Sequence, residues 1–155
     1  MRHRYGDHFH QFADLYLPRD ADGPLPVAVV LHAGFWREQY SLELSEDLAR
    51  DLSRRGWAAW NVEFRRVGEA SDGGYPATLE DVGAAIDVVQ TLDAPLDLGR
   101  VVTAGHSAGG QLRPGITWAA RSVLTALAGK VPDNVYNREV IPRWKERFGG
   151  ASVTA

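Results

Sequence analysis

The sequence predicts an α/β fold in which N-terminal antiparallel strands lead into three parallel βα units. Three apolar runs carry this prediction, at residues 27–31, 57–62 and 101–104. Continuous apolar runs of this length are typical of strands that are buried on both faces of a parallel sheet. Two amphipathic segments separate the runs, and this alternation predicts right-handed βαβ units.

The other elements follow from local patterns. Ala13, Leu15 and Leu17 alternate with more polar residues, which predicts a half-exposed strand before the first apolar run. Ser41 is the expected N-cap of the first helix, and Gly56 ends it. Residues 78–81, Thr-Leu-Glu-Asp, resemble a capping box at the start of the second helix. The expected apolar stripes are Leu44, Leu48, Ala49 and Leu52 on the first helix, and Leu79, Val82, Ile86 and Val89 on the second.

The composition excludes several classes of protein. The 155 residues are 45% hydrophobic and 24% charged, which suits one self-supporting globular core. A net charge of −3 gives no basic surplus for binding nucleic acid or an anionic membrane. The absence of cysteine excludes disulfides, thiol catalysis and thiolate metal sites. No apolar run approaches the ~18 residues that span a bilayer, and residues 1–10 lack the apolar part of a secretory signal, so we expect a cytoplasmic protein.

The charge is distributed unevenly along the chain. Residues 1–112 contain ten basic and 17 acidic side chains, a net charge of −7, whereas residues 113–155 contain seven basic and three acidic ones, a net charge of +4. Such asymmetry marks either a basic tail that docks on an acidic body or sequence of separate origin. We predict a domain over residues 1–112 and a helical tail of separate origin over residues 113–155. The alternative is one diverged, continuous domain.

Catalytic chemistry is predicted where the third apolar run ends. Residues 105–109 read Gly-His-Ser-Ala-Gly, and this pattern between a strand and a helix indicates a nucleophile elbow. The sharp turn would strain the backbone at Ser107 and expose its hydroxyl group. Gly105 and Gly109 are expected where a Cβ atom would collide with a neighbouring element, and the Ala108 N–H group is a candidate donor to a substrate oxyanion. The alternative is a glycine-rich turn with an incidental serine.

The loop after the first apolar run, His-Ala-Gly-Phe-Trp at residues 32–36, would complete this site. The N–H groups of Gly34 and Phe35 are the candidate second oxyanion donors, and each such donor stabilises a transition state by roughly 3 kcal/mol. His32 is interpreted as a structural hydrogen-bonding residue of the loop. Ala33 stands where such turns usually carry glycine, which would cost on the order of 1 kcal/mol if that position needs a positive φ. A plain βα loop is the alternative.

Together these motifs resemble the N-terminal half of an α/β-hydrolase of the esterase/lipase and arylformamidase-like group. The resemblance runs from about residue 5 to residue 112 and rests on DLYLP (14–18), VAVVLHAGFW (27–36), RGWAAWNVEFRRVG (55–68), GGYPATLEDV (73–82) and VVTAGHSAGGQL (101–112). It implies a truncated α/β-hydrolase-like sheet, with Ser107 as nucleophile and with Gly34, Phe35 and Ala108 as oxyanion donors. It also implies acyl transfer from a small-molecule ester or amide to water, without a cofactor.

The predicted catalytic triad is incomplete. A serine needs a base that a carboxylate orients, and in this fold the order along the chain is Ser, then Asp or Glu, then His. All five histidines, at positions 3, 8, 10, 32 and 106, precede Ser107. His106 is adjacent to the serine, but neighbouring side chains at an elbow point apart. We therefore expect a serine hydrolase with weak or no activity, or a non-catalytic module that binds a ligand or partner.

The end of the chain is predicted to contribute structure rather than chemistry. From about residue 115 to residue 150, the tail resembles the C-terminal end of D-isomer-specific 2-hydroxyacid dehydrogenases, on the evidence of GKVPDNVYNREVIPRWKERFGG (129–150). It contains no G-x-G-x-x-G motif, so the resemblance implies no NAD chemistry. Without further core strands after the elbow, the strand at 101–104 would be an open sheet edge through which copies can self-associate.

Three further groups of residues are interpreted as structural. The histidines at positions 3, 8 and 10 and Asp7 are of metal-ligating types, but their spacing fixes no third ligand, so we predict no metal site. The arginine pair at 65 and 66 is assigned to salt bridges rather than to an anionic substrate. The tryptophans at 36, 57 and 60 are assigned to the core or to a pocket wall.

Overall fold

The computed structural model describes residues 1–21 and 23–112, so the predicted tail lies outside the described residues. The strands are β1 (Arg2–Arg4), β2 (Phe12–Tyr16), β3 (Leu25–Leu31), β4 (Ala58–Val62) and β5 (Leu96–Gly105). The α-helices are α1 (Glu46–Arg54), α2 (Ala77–Val88) and α3 (Ala108–Gln111), and single 3₁₀ turns form at Leu42–Ser45 and Val89–Thr91. No helix of this part of the chain is long and apolar enough to cross a membrane.

The strands form one mixed sheet in the order β1-β2-β4-β3-β5. β1 and β2 pair antiparallel with their neighbours, whereas β3 pairs parallel with both β4 and β5. The predicted α/β class, with antiparallel strands before three parallel ones, is confirmed. Leu31 is in register with both Val62 and Gly105, so the three parallel strands end at one edge of the sheet. The segments that follow these strands therefore meet there, which is where sheets of this kind place their sites.

Helices cover both faces of the sheet. Successive side chains of β4 point to opposite sides and therefore contact a different helical segment on each face. Trp60 is fully buried on one face, and its Nε1 donates to the carbonyl oxygen of Ala85 in α2 at 2.8 Å. Asn61 is fully buried on the other face, where Nδ2 donates to Leu42 O at 3.1 Å and Oδ1 accepts from Ser45 Oγ at 2.8 Å. The 3₁₀ turn that leads into α1 is thereby anchored to the centre of the sheet.

The apolar stripe predicted for the first helix is partly wrong. Ala49 is buried as expected, but Leu44 and Leu48 are exposed. The residues that face the sheet are Leu42, Ser45, Ala49 and Ser53. The buried amide of Asn61 explains the difference, because it requires polar partners and draws the Ser45 side of the helix toward β4. Ser41 does cap the turn, accepting a hydrogen bond from Glu43 N.

The capping box predicted for the second helix is wrong as well. The N-cap is Pro76, and the helix has no side-chain cap. Thr78 instead accepts from Gly74 N and donates to Arg65 O, while Asp81 pairs with Arg65 at 2.7 Å. Both side chains tie α2 to the loop after β4. The predicted periodicity holds, because Val82 and Val89 are buried and Leu79 and Ile86 pack against the same core.

The third parallel strand is where predicted but is not buried. β5 is longer than its apolar run, and Val101 and Val102 are 39% and 46% exposed. Within the described part of the sheet, β5 pairs with β3 alone, so its other edge has no strand beside it.

Candidate active site

Ser107 occupies a sharp turn between β5 and α3. Its backbone has φ 53° and ψ −120°, outside the regions that L-residues ordinarily adopt, and the residue is exposed. A Cβ atom at Gly105 would lie 2.4 Å from Gly109 O, and one at Gly109 would lie 2.1 Å from Leu31 O. Both glycines are therefore sterically required, and the turn has the geometry that the sequence predicts for a nucleophile elbow.

The loop after β3 is strained at different residues from the one expected. Ala33 does not have a positive φ, whereas Gly34, Phe35 and Trp36 have φ values of 123°, 53° and 58°. For residues with a Cβ this conformation costs about 1–2 kcal/mol each. A Cβ at Gly34 would also lie 2.4 Å from the Cβ of Tyr40. Glycine is therefore required at position 34, where the loop passes close to Tyr40, and the backbone strain lies at Phe35 and Trp36.

The loop and the elbow are in direct contact. Trp36 Nε1 donates to Ala108 O at 3.1 Å, across 72 residues of sequence. Among the described residues, neither the Phe35 N–H group nor the Ala108 N–H group has a hydrogen-bond acceptor. The Phe35 side chain is exposed and lines a shallow groove with Arg37, Gln39 and Tyr40. Gly34 N–H likewise has no acceptor in this part of the chain. The described residues therefore place three N–H groups without an acceptor on segments that meet beside Ser107, and their use as oxyanion donors stays a prediction.

His32 is buried behind this loop rather than turned toward the serine. Its ring stacks on Phe64 with the planes 6° apart, Nδ1 lies 2.7 Å from Ala33 O, and Nε2 lies 3.1 Å from Glu63 Oε1. A carbonyl oxygen only accepts, so Nδ1 carries a proton. Both nitrogens are engaged, which leaves His32 no free nitrogen to act as a base. His106 is exposed beside Ser107, and among the described residues no imidazole nitrogen is hydrogen-bonded to Ser107 Oγ.

Glu63, which the sequence reasoning missed, is the centre of the buried polar network. Its Oε1 accepts from His32 Nε2 and Phe64 N, and its Oε2 accepts from Leu42 N at 3.0 Å. Arg66 Nε lies 3.3 Å from Oε1, forming an ion pair without hydrogen-bond geometry. Burial raises the pKa of Glu63, but the hydrogen bond from His32 and the charges around it outweigh burial and hold the pKa below its usual value. A lone carboxylate directly after the apolar run of β4 was the available signal.

The arginine pair forms salt bridges, as predicted. Arg65 pairs with Asp81, while Arg66 is buried and donates through Nη1 to the carbonyl oxygens of Glu38 and Tyr40 in the loop after β3. Arg66 Nη2 also lies 2.8 Å from His10 Nε2, and His10 Nδ1 lies 2.7 Å from Ser71 Oγ. In the described part of the chain no three metal-ligating side chains are grouped.

The contact between Arg66 and His10 predicts a pH dependence of stability. A guanidinium only donates, so His10 Nε2 accepts and the ring is neutral. Burial, and then the charge of Arg66, lower the pKa of His10 from its usual 6.5. The folded state therefore binds this proton less readily than the unfolded state. Neutral His10 contributes its full share to the free energy of unfolding above about pH 6.5, and this share is lost as the pH falls through the pKa of His10 in the folded state.

We expect the urea midpoint of the wild-type protein to fall between pH 7 and pH 5, and the fall to be smaller in His10→Gln, whose amide can replace both hydrogen bonds. Urea unfolding across this range measures the difference. Identical pH profiles for the two proteins would show that His10 does not titrate in this way.

The mixed sheet, the elbow after β5 and the loop after β3 together define an esterase-like α/β-hydrolase. The BD-FAE family model matches residues 13–132, well over half of the chain, and the chain belongs to this family. The match continues past residue 112, so the family resemblance is not confined to the predicted head. The division at residue 112, and the separate origin of the tail, stay predictions.

Solved esterases are similar to the chain in structure. A bacterial heroin esterase is 28% identical, with a TM-score of 0.60 over 78% of this chain and 36% of its own. A hyperthermophilic esterase from Pyrobaculum calidifontis is 30% identical, with a TM-score of 0.57 over 77% of this chain and 37% of its own. Esterase B from Lactobacillus rhamnosis is 24% identical, with a TM-score of 0.69, and the match covers 86% of this chain and 44% of the esterase. At this identity the match supports the fold alone. The chain thus spans less than half the length of these enzymes. No curated protein matches the chain.

Proposed function

We propose that Ser107 is the nucleophile of a carboxylic ester or arylformamide hydrolase, and that this chain alone performs the reaction weakly. The observation that carries the proposal is the strained backbone conformation of Ser107, together with the exposure of this residue to solvent. Such a conformation persists only where the surrounding structure holds it, and it concentrates at reactive sites. Esterases among the structural relatives support a small-molecule ester as the substrate class.

In the proposed reaction, Ser107 Oγ attacks the substrate carbonyl carbon while its proton passes to a base. The carbonyl electrons move onto oxygen, where the N–H groups of Ala108 and of Phe35 or Gly34 stabilise the developing charge. The C–O or C–N bond to the leaving group then breaks, the leaving group takes a proton, and water hydrolyses the acyl-serine. No cofactor takes part in these steps.

The base is what limits the reaction. His32 has both nitrogens engaged, and His10 is engaged with Arg66 and Ser71. The sequence contains no histidine after Ser107. An oxyanion site without a base still accelerates acyl transfer about 10³–10⁴-fold over water, so we propose slow acylation and slower turnover. A base supplied by another chain would make activity rise steeply with protein concentration.

A fluorophosphonate probe tests the nucleophile, because phosphorus takes the place of the substrate carbonyl carbon. We expect an adduct on Ser107 in the wild-type protein, located by peptide mass spectrometry, and none in Ser107→Ala. Circular dichroism of both proteins establishes that they are folded. A folded wild-type protein without an adduct on Ser107 would exclude the enzymatic function.

Self-association through β5 is the second candidate function. The apolar side chains of Leu98, Val101 and Val102 are exposed on this strand. Asp97 and Arg100 carry opposite charges on the same strand and pair with each other. In two antiparallel copies of β5, Asp97 of each chain could instead form an ion pair with Arg100 of the other. We propose a second copy of the chain as the occupant. Sedimentation at increasing concentration would show dimers, and a monomer at every concentration would exclude this function.

A further inference from the structure

The loop after β3 needs an external restraint. Three successive residues, Gly34, Phe35 and Trp36, have positive φ values, and two of them carry a Cβ. Strain of about 1–2 kcal/mol at each of those two would be released by a local rearrangement. Such a rearrangement would also turn the Phe35 N–H group away from its present direction. The elements that hold the loop are therefore as important as the loop itself.

One carboxylate holds both ends of this loop. Glu63 directly follows β4, its side chain is 2% exposed, and it accepts hydrogen bonds from His32 Nε2 and Leu42 N. His32 is the first residue after β3, and Leu42 begins the turn before α1. The segment between them is thus closed by the two oxygens of a single side chain.

The middle of the loop is held by the residues that follow Glu63. Arg66 donates to the carbonyl oxygens of Glu38 and Tyr40 and is itself oriented by its ion pair with Glu63. Val67 N donates to Trp36 O at 2.6 Å, and Glu38 N donates to Val67 O at 3.1 Å. Every one of these contacts joins the loop to the segment 63–67, and the only buried anion in this segment is Glu63.

We propose that Glu63 is the positioning residue of the loop 32–42, acting through Arg66 to hold the strained conformation that presents the Phe35 N–H group beside Ser107. This inference rests on the proposed function, since it assigns Glu63 to the same site. Glu63 touches no reacting atom. Its charge is required because three hydrogen-bond donors and the guanidinium of Arg66 surround it, and only a carboxylate can accept with both oxygens and also balance the positive charge.

The isosteric change Glu63→Gln separates charge from shape. A glutamine places its NH₂ group either against Leu42 N–H or against His32 Nε2–H and Phe64 N–H, so the hydrogen bond at one end of the loop is lost in either orientation. The ion pair with Arg66 is lost in both orientations, because the amide carries no charge. We expect the maximal rate of fluorophosphonate labelling to fall about 100-fold, the loss typical of one misplaced oxyanion donor, with little change in the half-saturating probe concentration. Hydrogen exchange across residues 33–42 should become faster in the same variant.

Asp81→Asn is the matched control, because Asp81 is an equally buried carboxylate whose hydrogen bonds go to Gln11 and Arg65 and not to the loop 32–42. We expect this variant to lose stability while keeping the wild-type labelling rate and loop exchange. The inference is overturned if Glu63→Gln labels and exchanges like the wild type, or if Asp81→Asn slows labelling equally. If the wild-type protein itself is not labelled, the proposed function fails, and the exchange of residues 33–42 alone decides the role of Glu63.

Discussion

Replacing Gly109 by alanine is expected to remove nearly all labelling of Ser107 and to destabilise the protein. The new Cβ would lie 2.1 Å from Leu31 O and 2.5 Å from His32 O. Both atoms are backbone atoms at the end of a central strand, so neither can rotate away. The elbow must therefore move by about 1 Å, a displacement that costs on the order of 100-fold in rate. Overpacking of this kind typically costs a further 1–3 kcal/mol of stability.

Gly110→Ala is the matched control for this prediction, because it lies next to Gly109 in the same helix. Among residues 1–21 and 23–112, the nearest atom to its Cβ would be Gly105 O at 3.1 Å, a contact that a small adjustment relieves. We expect this variant to keep most of the labelling rate and of the urea midpoint. If Gly109→Ala labels as fast as Gly110→Ala, the close approach of the elbow to β3 is not needed for the reaction.

Trp60→Ala is expected to cause the largest loss of stability in the described core, about 3–5 kcal/mol. Trp60 lies in β4 with Val29 and Leu15 in register on either side, and its Nε1 anchors α2 through Ala85 O. Its removal would leave a cavity between the sheet and α2 and would remove the hydrogen bond to Ala85 O. A small domain is usually stable by only 5–15 kcal/mol, so a large part of the protein would unfold at low denaturant concentration.

Trp57→Ala provides the comparison, because Trp57 precedes the same strand but is only half-buried. We expect its urea midpoint to stay much closer to that of the wild type. The slope of the unfolding transition should be similar in both variants if the native state stays compact. Equal losses in Trp57→Ala and Trp60→Ala would contradict the central position that the structure gives to Trp60.

The elements that were predictable are those whose signal is local. The runs of β3 and β4 are apolar on both faces apart from Asn61 because helices cover both faces, and this burial appears directly as hydrophobicity that one polar residue interrupts. The turn at Ser107 was predictable because Gly105 and Gly109 lie where a Cβ atom would collide with a neighbouring backbone, and every turn of this type has the same close contacts. The helix stripe at Leu44 and Leu48 was not predictable, because a buried amide on another strand selected the opposite side of the helix.

The candidate site was predictable only at the residues that would meet the substrate. Ser107 and the loop at 32–36 stand out because each directly follows an apolar strand. Glu63 follows an apolar strand too, but its partners His32 and Leu42 are 31 and 21 residues away in the sequence. A single carboxylate gives no indication of which distant donors it will accept from.

The order of strands and helices along the chain, the class of the fold and the position of Ser107 at the turn after β5 were determined by the sequence itself, because hydrophobic period and turn sterics act over a few residues. Tertiary structure alone decided that the backbone strain falls on Phe35 and Trp36 rather than on Ala33. It also decided that Glu63 and Arg66 hold the loop. These features depend on groups brought together from separate strands, and the hydrogen bonds of a buried charge are chosen by proximity in space rather than by position along the chain.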